Sequence, residues 1–102
     1  MNISIKKFNE EFSKIKVVIL IRDKFQCQGE YENFHFGNLT VDHIRKRSKF
    51  GSNHQTNLIT LCQGCHSIYE SLPAKIKEEK LYKILSDKYG YKEFIKNREM
   101  KK

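Results

Sequence analysis

The side chains best suited to chemistry are Asp42 and His43, adjacent in the chain, and His66, with Asn57 between them. A carboxylate and an imidazole can together hold a divalent cation, while a second, uncoordinated imidazole titrates near neutrality and can take a proton from water. Hydrolysis of a phosphodiester around one metal ion requires those parts. Taken singly, each histidine reads more readily as a surface or packing residue, so the weight rests on their grouping.

A second set is Cys62-Gln63-Gly64-Cys65, with Cys27 far upstream beside Gly29. Two thiolates three residues apart can grip one Zn²⁺ ion from a tight turn, and a tetrahedral site then needs two more ligands. Cys27 offers one. A knuckle of the form C-x-x-C would place the other at position 30, where the residue is Glu30. The alternatives are that His35 reaches in, or that the three cysteines are simply buried as small apolar residues.

These residues must be positioned by short elements. Leu39 to Ile44 and Leu58 to Leu61 are rich in β-branched residues and predict two antiparallel strands, joined by the thirteen-residue basic segment Arg45 to Asn57. A connection longer than a hairpin needs tends to carry function. Asp42 and His43 cannot both face one site from a regular strand, so the strand is expected to end, twist or bulge there. Phe8, Phe12, Ile15, Ile19 and Arg22 recur at helical spacing and predict an amphipathic helix over residues 5 to 22; Val17 to Ile21 taken alone could be a buried strand, but the periodicity extending upstream favours the helix. Residues 26 to 38 lack a period and read as a loop or knuckle.

After the cysteine pair, Ser67 to Ser71 predicts the start of a short helix. Pro73 suits the first turn of another, with Ile76, Leu81, Ile84 and Leu85 as its apolar positions and Gly90 near its end. Tyr91, Phe94 and Ile95 form a last apolar patch, and Lys96 to Lys102 a basic, fraying tail.

In order along the chain, Arg22-Asp23-Lys24-Phe25-Gln26-Cys27, Val41-Asp42-His43-Ile44 and the run from Asn57 to His66 resemble the HNH endonuclease family, including its zinc-braced members, over about residues 17 to 70. The resemblance implies an α+β fold with a ββα-metal core: an antiparallel hairpin and a helix clasping one cation, here with flanking N- and C-terminal helices. It implies that Asp42 and His66 bind the catalytic metal, that His43 is the general base, and that Asn57 steadies the loop through backbone hydrogen bonds. It also implies products with 5′-phosphate and 3′-hydroxyl ends. Two protein ligands leave room for water and phosphate oxygens, which suits Mg²⁺ or Mn²⁺ better than a closed zinc cage. Family members often carry a proline and paired glycines in the loop, where this chain has Arg47 and the single Gly51.

Arg45, Lys46, Arg47 and Lys49 follow the candidate catalytic pair directly and would hold a nucleic-acid backbone, or else form a solvated charge run. The chain has 20 Lys and Arg against 12 Asp and Glu, a net charge of +8 that attracts a polyanion, with double-stranded DNA as the favoured partner. His54 falls at no position the family pattern marks and reads as an exposed polar residue; Phe34, Phe36 and Phe50 either stack on bases or, more readily, fill the core.

With 102 residues and 38% hydrophobic content, one small domain is expected, its core at about 17–70 and a helical extension at about 73–102. No run approaches the roughly 20 apolar residues that span a bilayer, and the N-terminus lacks a signal-peptide core, so a cytoplasmic location is expected. There an odd number of cysteines points away from disulfides. The expected function is DNA hydrolysis by nicking or low-specificity cleavage. The alternative is a zinc-knuckle module that binds nucleic acid without cutting it, and a weaker third reading is a protein-interaction domain governed by cysteine oxidation.

Overall fold

The computed structural model describes residues 3–91; the Phe94 and Ile95 patch and the basic tail lie outside the described residues. The elements run α1 (Ile3–Arg22), β1 (Leu39–His43), β2 (Leu58–Cys62), α2 (Gln63–Ser71) and α3 (Ala74–Tyr89). This is an α+β arrangement in which a two-stranded antiparallel hairpin is followed directly by a helix, flanked by helices on either side.

The ambiguous stretch Val17 to Ile21 is helical. Phe12, Ile15, Ile19 and Leu20 turn inward onto Val41 and Leu58, whereas Val17, Val18 and Ile21 are exposed. The helix ends where Lys24 and Phe25 take positive φ, with the Phe25 amide donating to Leu20 O (2.8 Å). Arg22 in the last turn suits the negative end of the helix dipole.

The strand register is unbroken: Thr40 faces Leu61, Asp42 faces Ile59 and His43 faces Leu58. Directly paired residues share a face, so Ile59 and Leu61 pack toward α2 and α3, while Val41 and Leu58 pack toward α1. All five residues of β2 are buried because helices cover both of its sides. Tyr69 of α2 and Leu81, Tyr82 and Leu85 of α3 complete the larger core. Ile76, expected inside, is 43% exposed, while Tyr82, which the helical pattern did not mark, is buried in the core.

α2 begins earlier than expected. Its first residue is Gln63 and its cap is Cys62, whose Sγ accepts the Cys65 amide (3.4 Å), so the cysteine pair is the strand-to-helix junction itself. Pro73 caps α3, and Gly90 closes it at φ 74°, the left-handed conformation that glycine adopts without strain.

One polar node links the elements. Asp23, 1% exposed, accepts from Arg22 Nε (2.9 Å) and Nη2 (3.0 Å), from the Thr60 amide (3.0 Å) and from the Tyr89 hydroxyl (2.7 Å). Arg22 also donates to Gln55 O and Leu58 O, both at 2.8 Å, and lies over the Tyr89 ring. Burial alone would raise the Asp23 carboxyl, but the bonds from Arg22, Tyr89 and Thr60 outweigh it and hold it below its usual 3.8. Its contribution to stability is therefore present above that value and is lost as pH falls through the lower folded value. Asp23→Ala should cost about 3–5 kcal/mol in denaturant unfolding, because it leaves buried donors unpaired. Asp23→Asn should remove the part of the stability loss that the parent chain shows below about pH 4. An acid-unfolding curve unchanged by Asp23→Asn would contradict this account.

Candidate active site and metal centre

Asp42 projects from the face of β1 that packs toward α2, and there it meets His66: Nδ1 of the imidazole lies 2.7 Å from Asp42 Oδ2. Thr40, two residues back on the same face, donates to Asp42 Oδ1 at 3.0 Å and fixes the carboxylate. Both Asp42 and His66 are half-buried, open enough for a ligand to approach. Two cis ligands of an octahedral ion with bonds of about 2.1 Å would lie roughly 3 Å apart, so the donor atoms need only a slight separation to take a hard divalent cation.

His43 is the last residue of β1, and it falls on the other face. Its ring lies against Phe12 of α1 (centroids 4.7 Å apart), and its Nε2 is 2.8 Å from Asn53 Oδ1. Of the expected alternatives, the strand takes the first: its pairing is regular up to His43, where it ends at the mouth of the long loop. Asp42 and His66 are thus brought together, with His43 next to them in the chain but turned toward α1. Asn53, an unremarkable polar residue in the sequence, is the partner that orients the imidazole.

Asn57 is buried and spends its carboxamide on the loop's backbone. It accepts the Arg45 amide (2.9 Å) and the Tyr82 hydroxyl (2.6 Å), and donates to Arg45 O (3.1 Å) and Ser52 O (2.9 Å). With the Ile44 amide bonded to Asn57 O (2.8 Å), these contacts pinch the base of the loop. Gly51 belongs to this closure: a Cβ there would stand 1.7 Å from Arg45 O. His54 is exposed and caps the turn before β2 through Thr56.

The four basic residues separate into two groups. Arg45 is half-buried and points at Glu78 (3.8 Å). Lys46, Arg47 and Lys49 are exposed, Lys46 within 3.5 Å of Glu70. Phe34, Phe36 and Phe50, expected to fill the core, are exposed instead.

The structure brings His35, rather than Glu30, to the three thiols. Ligand atoms of Cys27, His35, Cys62 and Cys65 all lie within 4.8 Å of one another, with His35 Nδ1 3.5 Å from Cys62 Sγ and 3.3 Å from Cys65 Sγ. In a tetrahedral zinc site the N···S separation is about 3.5 Å, so His35 already stands at ligand distance from Cys62 and Cys65, and the Cys3His set suits the ion. Glu30, placed in this site by the C-x-x-C spacing, instead turns out to Lys80 (3.4 Å), and only its backbone amide reaches inward, to the Tyr69 hydroxyl. The loop passes close above α2, and a Cβ at Gly29 would come within 2.7 Å of Cys65 Sγ.

The thiols differ in proton affinity. Burial opposes ionisation of Cys62, yet the Cys65 amide, His35 and Cys27 together bring it down to about 6, whereas burial and the neighbouring Cys27 push Cys65 up to about 12. One ready thiolate at a helix N-terminus is a natural first foothold for a metal. Elemental analysis should find one equivalent of zinc per chain after dialysis. His35→Ala and Cys27→Ala should reduce it sharply and lower the melting temperature, while Glu30→Ala should retain it. The reverse pattern, loss with Glu30→Ala and retention with His35→Ala, would refute the assignment.

Residues 27–71 match the family described as HNH endonuclease, a span that starts at the first cysteine of the knuckle and ends with α2. Comparison with curated proteins and with solved structures gave no match. No helix of the described residues is long and apolar enough to cross a membrane. The hairpin leading straight into α2, Asp42 against His66 and the Cys3His cluster at the strand-to-helix junction agree with the match of residues 27–71 to the HNH endonuclease family.

Proposed function

We propose that the chain is a metal-dependent endonuclease that hydrolyses DNA phosphodiester bonds, by nicking or with low sequence specificity. The contact between Asp42 and His66, inside the family span and beside His43, carries this reading. Asp42 and His66 would hold a Mg²⁺ or Mn²⁺ ion, whose charge would offset that on the phosphate and on the departing 3′ oxygen.

The chain's own residues supply the rest. His43, oriented by Asn53, takes a proton from water directly or through one intervening water molecule. The water oxygen bonds to phosphorus as the bond from phosphorus to the 3′ oxygen breaks, and that oxygen leaves with a proton from solvent. The products are a 5′-phosphate and a 3′-hydroxyl. Asn57 keeps the loop closed behind His43, so that Lys46, Arg47 and Lys49 face the flanking backbone. Arg45, tied to Glu78, braces the loop rather than contacting phosphate.

One observation favours a second reading. Asp42 and His43 occupy opposite faces of β1, as suits a zinc-knuckle module that binds nucleic acid without cutting it.

Supercoiled plasmid incubated with the zinc-loaded protein and Mg²⁺ or Mn²⁺ separates the two. The parent chain should convert it to nicked circles, and His43→Ala and Asp42→Ala should each slow conversion by about 100-fold or more. Undiminished cleavage by His43→Ala removes that residue from the mechanism; plasmid binding without cleavage by the folded parent chain selects the second reading. Asn53→Ala should lower the rate roughly tenfold with zinc content unchanged.

A further inference from the structure

The loop between the strands presents an aromatic side chain that takes no part in the core. Phe50 is 96% exposed, and its backbone sits at φ 65°, ψ 26°, the left-handed region that is costly for a bulky residue. It follows a single turn of 3-10 helix, Arg47–Lys49, at the position where glycine or asparagine ordinarily closes such a turn.

The turn is not slack. The Lys49 and Gly51 amides both donate to Lys46 O (2.9 Å each), the Phe50 amide donates to Arg47 O (3.0 Å), and Gly51 is packed against Arg45 O. A closed turn therefore holds an aromatic ring away from the core at two simultaneous costs, an unfavourable backbone and an apolar surface in water. Neither is recovered by packing within the described residues, since Phe50 joins no part of the core. The other aromatic residue at positive φ, Phe25, is 60% exposed and covers more of its surface. A strained, over-determined conformation of this kind is a mark of a binding element.

The surroundings specify what it binds. Lys46, Arg47 and Lys49 precede the ring on the same turn, and Asn53, three residues after it, holds His43. Cations that track a phosphate backbone, combined with a projecting aromatic side chain, form the pairing that recognises nucleic acid with an accessible base face. The turn is basic on balance even with Lys46 near Glu70, which favours a polyanion over a basic or neutral protein surface.

We propose that Phe50 stacks on an unpaired or unstacked base next to the scissile phosphate, so that the domain prefers DNA with a single-stranded or bulged position over a perfect duplex. This deepens the nuclease reading and rests on its DNA-binding part, though not on cleavage.

The test is equilibrium binding, without added Mg²⁺, of the zinc-loaded protein to three fluorescent DNAs of one sequence: a short perfect duplex, the same duplex with one bulged base, and the single strand. The parent chain should bind the bulged and single-stranded forms roughly tenfold more tightly than the duplex. Phe50→Gly should abolish that advantage while keeping the duplex affinity and an equal or higher melting temperature, since glycine relieves the backbone. Phe50→Trp should preserve the preference. If Phe50→Gly binds all three DNAs as the parent chain does, the stacking role is overturned and DNA binding stands. Failure of the parent chain to bind any of the three overturns the DNA reading itself, and the stacking role with it.

Discussion

The arrangement depends first on the buried carboxylate of Asp23. It receives donors from α1, from the middle of β2 and from the last turn of α3, three elements distant in sequence. Arg22 beside it extends the node to the carbonyls on either side of the turn that enters β2. A carboxylate surrounded by this many donors has one geometry that satisfies them all, so the crossing of α1 over the hairpin is fixed by directional bonds as well as by the packing of Ile19 on Leu58. Hydrophobic contact alone would tolerate sliding by a residue or a helical turn; the node does not.

A second constraint acts at the other end of the hairpin. The Asn57 carboxamide satisfies the backbone of a loop that would otherwise be long and open, and Tyr82 of α3 locks the carboxamide in place. The family span covers residues 27–71, yet both constraints come partly from outside it: Arg22 and Asp23 before, Tyr82 and Tyr89 after. The flanking helices thus serve as braces for a small hairpin and helix that would bury little surface by themselves.

Much of this was legible in the sequence for identifiable reasons. β-branched runs announced the strands, periodicity announced α1 and α3, and the two-residue spacing of Cys62 and Cys65 announced the knuckle. The fourth ligand was legible only as one of several alternatives, because C-x-x-C spacing is a local rule while His35 arrives by a loop that folds back over α2. The roles of Asn53 and Tyr82 were invisible, since a polar loop residue and a helical tyrosine declare nothing until tertiary contacts pair them. The exposed phenylalanines defied expectation because composition counts them as core, whereas their placement is decided by the turns they stand on.

The junction at Cys62 has a consequence for how the two centres communicate. Cys62 ends β2 and caps α2, Cys65 lies in the first helical turn, and His66 is the next residue. A thiol of the Cys3His cluster and the imidazole that meets Asp42 are therefore joined by one peptide bond within a helix. A change at the thiols, by oxidation or by chelation of whatever ion they hold, would act on the same helical turn that aims His66 at Asp42, without any chemical change at that pair. The thiols and the carboxylate–imidazole pair share a single mechanical element.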